Sequence, residues 1–125
     1  MTTTNIDAPI ADVVGVEHRH DHPRSFVLLI KCPHCHKDHQ HGGFLDELEA
    51  EGHGHRVAHC DDRALVAAGH RLDRRSRGYN IGPVPELLRD RLYGRLALTL
   101  ARPGRRADPV TIRLSKAERI ALDID

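Results

Sequence analysis

Apolar residues are concentrated in a few stretches of the chain, and the first well-defined stretch predicts a β-strand. Residues 25–31, SFVLLIK, are mainly β-branched or apolar and run directly into Cys32. Residues 36–41 are expected to return beside them as an antiparallel partner. Gly42 and Gly43 then favour the end of that second strand, because glycine weakens strand interiors. The pattern therefore predicts a β-hairpin with a cysteine at its turn.

The segments on either side of this hairpin have weaker patterns. Residues 13–16, VVGV, predict a short strand inside an otherwise flexible N-terminal arm. Residues 44–51, FLDELEAE, predict a short acidic helical turn, and residues 55–60 are expected to be extended. Residues 61–70 indicate either a short helix or a loop followed by a strand, and residues 79–81 favour a strand.

The C-terminal third alternates between helix and strand patterns. Residues 85–93 predict a helix, with proline in the first turn, glutamate after it, and Gly94 at the position of a C-terminal cap. Residues 95–101, RLALTLA, and residues 110–114, VTIRL, alternate in polarity, which predicts a hairpin. Residues 115–118, SKAE, match a capping box and predict a second short helix.

The stretch between residues 31 and 60 is too polar to fold by hydrophobic burial alone. The whole chain has no tryptophan, two tyrosines and two phenylalanines, so its core must rest on Val, Leu, Ile and Ala. The polar stretch holds all three cysteines, and all eleven histidines lie between residues 18 and 70. Thiolates and imidazoles are the ligands that zinc prefers in proteins. A bound metal would supply the folding energy that this stretch lacks.

The cysteines predict one structural zinc site. Cys32 and Cys35 form a CxxC turn whose two sulfurs can converge on one ion. Cys60 adds a third thiolate. Because the chain carries no visible export signal, this spacing favours a metal over a disulfide.

The fourth zinc ligand is expected from one of two histidines, His55 or His59. The choice depends on the register in which residues 53–60 would pair with residues 36–41. A shift by one residue exchanges the two histidines at the site, so both are candidates and one is surplus.

The other histidines allow a second metal site. His39, His41 and His53 are its candidates, joined by one of the alternating histidines between residues 18 and 22. All-histidine sites suit catalytic zinc, nickel or copper. The alternatives are exposed histidines, or histidines that hydrogen bond to the ligands of the first site.

These patterns predict an α+β protein. Its expected parts are a zinc-stapled β-hairpin unit, similar to a zinc ribbon, and a C-terminal β-hairpin with one or two short helices. The expected organisation is a flexible N-terminal arm over residues 1–24, the zinc-ribbon-like unit over residues 25–78 and an α+β unit over residues 79–125. The last two units are expected to share one core.

Charge is distributed unevenly, although the formal net charge is only +1. Residues 71–106 contain ten arginines and three acidic residues, a net of +7, whereas residues 46–51 form an acidic run. Arginine suits phosphate because its planar guanidinium can donate two hydrogen bonds to one group, but a GC-rich genome would also enrich it. The arginines expected to contact a nucleic acid are Arg71, Arg74, Arg75, Arg77, Arg102, Arg105 and Arg106.

Three short motifs give the chain a resemblance to known sequences: CPHC at residues 32–35, HQHG at residues 39–42 and GHRVAHC at residues 54–60. In these motifs it resembles small zinc-ribbon-like proteins of actinobacteria and their phages, which share CPxC, HxHG and GHRxxHC segments. The resemblance covers roughly residues 25 to 80 and implies metal binding without assigning an activity. The positions that match are Cys32, Cys35, His39, His41, His55, His59 and Cys60.

Three functions follow as hypotheses. The first is a small structural-zinc protein that acts as a nucleic-acid-associated regulatory or accessory module through arginine–phosphate contacts, although few aromatic residues are present to stack on bases. The second is a protein-interaction module that binds a larger host or phage complex, using the predicted strands 95–101 and 110–114 or the acidic run. The third is a small metal-dependent nuclease. No general-base constellation is evident, so we expect no enzymatic activity.

The sequence contains no recognisable export or membrane segment. Residues 1–14 lack a basic region followed by an apolar run, and no stretch approaches about 20 apolar residues. We therefore expect a cytoplasmic protein whose partner is a nucleic acid or a protein complex and not a membrane. The two predicted C-terminal strands would also allow a homodimer.

Overall fold

A computed structural model describes residues 8–18, 25–57, 60, 78–100 and 110–124. These ranges contain six strands, one 3-10 turn and two helices, which confirms the mixed α+β class; the likeness to a zinc ribbon stays a prediction. In chain order the elements are β1 (Ile10–His18), β2 (Ser25–Lys31), β3 (Asp38–Phe44), the turn Leu45–Glu47, β4 (His55–Arg56), β5 (Tyr79–Ile81), α1 (Glu86–Leu100), β6 (Val110–Arg113) and α2 (Lys116–Ala121).

The strands form one sheet in the order β3-β2-β1-β5-β4, and β6 also pairs with β1. One edge of β1 pairs antiparallel with β2. Its other edge is divided between two strands. Ile10 and Ala11 pair in parallel with β5, and residues 15–18 pair antiparallel with β6. Elements from both ends of the chain therefore meet at β1.

The N-terminal strand β1 lies at the centre of the sheet, where the sequence predicts a flexible arm containing only a short strand. Residues 13–16 are buried, so their side chains do not alternate between core and solvent. Gly15 permits close packing, because a Cβ there would lie 2.8 Å from Leu29 Cδ1 and 3.1 Å from Ile112 O. A short apolar run with neighbours on both faces gives no periodic signal, and this explains the difference from the prediction.

The predicted hairpin is confirmed, and its second strand is longer than expected. β3 pairs with β2 from Asp38 opposite Lys31 to the end of the strand, and Gly42 and Gly43 lie within it rather than ending it. The reason is steric. A Cβ at Gly43 would lie 2.8 Å from Phe26 Cζ, so glycine makes room for the buried ring. The predicted acidic turn is confirmed by the 3-10 turn that follows β3.

The first helix is longer than predicted. α1 continues past Gly94, so the strand expected over residues 95–101 is wrong. Leu88, Leu92 and Leu96 recur at every fourth position; the first two are fully buried and the third packs against the core. A Cβ at Gly94 would have no neighbour within 4 Å, so this glycine lies on an open helix surface and does not cap the helix.

The predicted C-terminal hairpin is also wrong, because β6 pairs with β1. The capping box of α2 is confirmed: Ser115 Oγ accepts from the Glu118 amide at 3.1 Å, and the Ser115 amide donates to Glu118 Oε1 at 2.8 Å. Within the described part of the chain, two ion pairs link this helix to other elements, one between Glu118 and Arg91 of α1 and one between Arg119 and Asp38 of β3. Neither helix in the described ranges is long and apolar enough to cross a membrane.

One buried cluster joins the sheet, the helices and the cysteines. It contains the three alternate residues Phe26, Leu28 and Ile30 of β2, the inward leucines of α1 and all three cysteines. His39 and His41 of β3 lie opposite Ile30 and Leu28. The cysteine turn is therefore an extension of the hydrophobic core. Residues 61–70, for which the sequence indicates either a short helix or a loop followed by a strand, lie outside the described residues.

Candidate metal centre

The turn between β2 and β3 brings the CxxC motif and a histidine together. Cys32 follows the last residue of β2, and its amide donates to Lys37 O at 2.9 Å, which closes the turn. The His36 amide donates to Cys32 O at 3.0 Å, and His36 adopts a left-handed φ of 63° that reverses the chain. Because β3 begins at Asp38, the next residue, His39, returns beside the cysteines.

Four side chains converge at this turn: those of Cys32, Cys35, His39 and Cys60. Their ligand atoms all lie within 4.8 Å of one another. Cys32 Sγ lies 3.4 Å from Cys60 Sγ. His39 Nε2 lies 3.1 Å from Cys35 Sγ and 3.8 Å from Cys60 Sγ. All three cysteines are buried, and none forms a disulfide.

The distances between these atoms match the edges of a tetrahedron around a metal ion. Metal–sulfur bonds of about 2.3 Å and a metal–nitrogen bond of about 2.0 Å place two sulfurs about 3.8 Å apart, and sulfur and nitrogen about 3.5 Å apart. Three of the six separations are 3.1, 3.4 and 3.8 Å, and the other three do not exceed 4.8 Å. The four residues can therefore hold one metal ion after small adjustments of their side chains.

Burial makes the thiols hard to ionise in the absence of a cation. Desolvation raises the pKa of Cys32, and the backbone amides of Cys35 and His34 only partly oppose it. Desolvation also raises the pKa of Cys60, and the neighbouring cysteines raise it further. Metals bind thiolates, so a cation at the centre would favour the ionised form that the protein environment alone disfavours.

Two further side-chain contacts lie next to the candidate ligands. His34 is inside the CxxC turn, and its Nε2 atom lies 2.6 Å from Gly78 O. The buried Tyr79 hydroxyl and His41 Nε2 are 2.5 Å apart. Burial raises the pKa of Tyr79, and the charges of the three cysteines raise it further, so the hydroxyl stays protonated beside the centre.

The structure brings the three predicted cysteines together with His39 instead of His55. His55 lies on β4 opposite Asn80 of β5, so the segment containing it does not pair with β3 and the expected choice of register does not arise. His59 lies outside the described residues. The spacing of His39, the fourth residue after Cys35, is the sequence signal for this ligand. The sequence patterns assign His39 only to the candidate second site and to the resemblance.

Among the described residues, the candidates for a second metal site are not brought together, and the candidates His20 and His22 lie outside the described residues. Within the described ranges, one group of metal-binding side chains meets the geometric requirement, and it is the Cys3His group. His41 contacts Tyr79, and the His53 ring meets the Phe26 ring edge-on at a centroid distance of 6.3 Å. The arginines expected to bind a nucleic acid all lie outside the described residues, namely Arg71, Arg74, Arg75, Arg77, Arg102, Arg105 and Arg106.

Comparison of the chain with protein-family models, with curated proteins and with solved structures returns no significant match. The metal centre is therefore interpreted from its own geometry.

Proposed function

We propose that this chain is a small zinc protein in which Cys32, Cys35, His39 and Cys60 hold one structural Zn²⁺ ion. The observation that carries the proposal is the convergence of their four ligand atoms within 4.8 Å. Three thiolates and one imidazole form a soft donor set that suits zinc and does not suit calcium or magnesium, which take oxygen ligands.

A structural role is favoured over a catalytic one because the protein supplies all four ligands. Catalytic zinc usually keeps one position for water or substrate, whereas a Cys3His set fills a tetrahedral ion. The cysteines also belong to the buried core cluster. Zinc binding to small modules contributes about 10–16 kcal/mol, comparable to the whole stability of a domain, about 5–15 kcal/mol. Metal removal is therefore expected to unfold the hairpin region.

The test is metal stoichiometry measured on purified protein, followed by cobalt substitution. We expect one zinc per chain by elemental analysis. Co²⁺ should give a thiolate charge-transfer band and the visible bands of a tetrahedral site. Cys32→Ser, Cys35→Ser, Cys60→Ser and His39→Ala should each weaken or distort these bands. His55→Ala is the matched control because His55 lies on β4 and is not one of the four residues whose ligand atoms converge.

His59→Ala distinguishes the two histidine assignments. Retention of the tetrahedral spectrum in His59→Ala and its loss in His39→Ala support the proposed ligand set. The opposite result would replace His39 by His59. A metal-free wild-type protein that melts at the same temperature as the zinc-loaded protein would refute the structural-zinc proposal.

We further propose that the zinc-bound chain acts as a nucleic-acid-associated accessory module. Support comes from the charge pattern of the sequence, in which residues 71–106 carry a net of +7. Among the described residues, Arg91 and Arg119 already form ion pairs with Glu118 and Asp38. The better candidates for phosphate contacts are therefore the arginines of residues 71–77 and 102–106.

Gel shifts on random DNA and RNA over a range of salt concentrations test this role. Each phosphate contact should contribute a slope of about −0.9 in log affinity against log salt on duplex DNA. Replacing the arginines of residues 71–77 or 102–106 by glutamine should reduce the slope, and Arg91→Gln should not. No binding at about 50 mM salt would refute the role and favour the protein-interaction alternative.

A further inference from the structure

His34 connects the candidate metal centre to the start of β5. Its backbone amide donates to Cys32 Sγ at 3.4 Å. Its buried side chain reaches in another direction, and Nε2–H donates to Gly78 O at 2.6 Å. One residue of the CxxC turn thus contacts a metal ligand through its backbone and the chain entering β5 through its ring.

Gly78 also packs closely against His55 and Arg56 of β4. A Cβ at this position would lie 2.2 Å from Arg56 O and 2.8 Å from His55 Cε1. The residue adopts a left-handed φ of 66°, which glycine reaches without steric penalty. The chain at Gly78 therefore lies closely between the cysteine turn and β4.

Tyr79, the next residue, supplies a second connection to the hairpin. Its ring is fully buried, and its centroid lies 6.2 Å from that of His34. Its hydroxyl contacts His41 Nε2 at 2.5 Å. His41 lies two residues after the ligand His39 and on the same side of β3. β5 is therefore joined to both the turn and the second strand of the metal hairpin.

The strands joined in this way are too short to be stable alone. β4 has two residues and β5 has three, and an isolated pair of strands is marginal even when longer. β5 pairs with β1 at Ile10 and Ala11 only. Its few backbone hydrogen bonds include Ile81 N to Gly54 O and His53 N to Ile81 O, each 2.9 Å.

From these contacts we propose that the metal centre orders the β4–β5 pair through His34 and Tyr79, which act as positioning residues. This inference rests on the proposed zinc site. Zinc fixes the CxxC turn and His39, the turn orients the His34 ring toward Gly78, and β3 presents His41 to Tyr79. Loss of either link should loosen β4 and β5 while the metal ligands remain in place.

Amide hydrogen exchange in the zinc-loaded full chain tests the proposal. In His34→Ala, the amides of Asn80, Ile81 and His53 should exchange roughly three- to tenfold faster, as expected for one lost hydrogen bond. The amides of Cys32 and His36, which close the cysteine turn, should keep their wild-type rates. His34→Gln retains a side-chain N–H that can donate to Gly78 O and should restore slow exchange.

Faster amide exchange confined to β5 and His53 in His34→Ala, with slow exchange restored in His34→Gln, supports positioning through His34. Wild-type rates at Asn80 and Ile81 in His34→Ala, or equal acceleration throughout the sheet, would overturn it. If His34→Ala does not fold, Tyr79→Phe tests the second link, since it removes only the hydroxyl, and unchanged exchange in β5 would again overturn the proposal. Elemental analysis separates the two failures: a wild-type chain without metal refutes the zinc site, whereas a metal-loaded chain without the β5 effect refutes the positioning alone.

Discussion

Arg119 of α2 forms a two-point ion pair with Asp38, the residue that directly precedes the candidate metal ligand His39. Arg119 Nη2 lies 2.9 Å from Asp38 Oδ2, and Nη1 lies 3.5 Å from Oδ1. The two side chains are 19% and 31% exposed, so solvent screens the pair only in part. The C-terminal helix is thereby fastened to the start of β3.

A double-mutant cycle should measure this connection. We expect Asp38→Asn and Arg119→Gln each to lower the free energy of unfolding, with a coupling of about 0.5–1 kcal/mol between them, typical of a partly exposed pair with good geometry. Urea unfolding at a fixed free zinc concentration is the measurement, because bound metal adds to apparent stability. Strictly additive effects of the two substitutions would show that the contact contributes nothing.

Two glycines should respond to alanine in opposite directions. At Gly78, alanine would combine a left-handed backbone with a Cβ 2.2 Å from Arg56 O, and we expect a loss of about 2–4 kcal/mol. At Gly94, where a Cβ has no neighbour within 4 Å, alanine should stabilise α1 by about 0.5–1 kcal/mol. Thermal unfolding of both zinc-loaded variants makes the comparison. Equal changes at the two positions would contradict these assigned environments.

The difference between these glycines also shows where sequence patterns suffice and where they fail. Gly94 after a leucine-rich segment suggests a helix end, but its neighbours Leu92 and Leu96 continue the buried stripe of α1. Local signals such as the SKAE capping box and the strand before Cys32 are reliable because nearby residues determine them. The central position of β1 depends on its pairing with β5 and β6, which are distant in sequence, and no local pattern encodes that pairing.

The metal centre shows the same difference between features that local sequence determines and features that depend on long-range strand pairing. The CxxC turn is local and predicts two ligands, and Cys60 is the remaining thiol. The histidine ligand depends on which segment returns beside the turn. The sequence predicts residues 53–60 at that position, but β4 pairs with β5, and the histidine adjacent to the cysteines is His39 of β3. Spacing alone leaves such a choice open because it does not specify strand partners.

Glycine at position 36 should stabilise the protein. The φ of 63° at His36 lies in the left-handed region, which costs a residue with a side chain about 1–2 kcal/mol. Against this, glycine loses about 0.5–1 kcal/mol more conformational entropy on folding. We expect His36→Gly to stabilise the zinc-loaded protein by about 0.5–1 kcal/mol. His36→Val is the contrasting variant, because a β-branched residue is strongly disfavoured at this φ. Equal stability of the two variants in urea would contradict the conformational argument.

His53 should make folding sensitive to acid. Its side chain is 4% exposed, and its Nε2 atom has no hydrogen-bond partner in the described part of the chain. Desolvation lowers the pKa of His53, and the charge of Arg56 lowers it further, against an opposing effect of Glu47. The folded state therefore holds a neutral ring at a pH where the unfolded chain, with a histidine pKa of about 6.5, binds a proton.

Because the unfolded state binds more protons in that range, the contribution of His53 to stability is fully present above about pH 6.5 and decreases as the pH falls below it. His53→Leu, which cannot be protonated, should flatten the dependence of unfolding free energy on pH below about 6.5, by at most the one-proton slope of about 1.4 kcal/mol per pH unit. Unfolding should be followed with the cobalt-loaded protein, whose absorbance reports whether the metal is still bound. The same slope in wild type and His53→Leu, with metal bound throughout, would mean that His53 is not the group responsible.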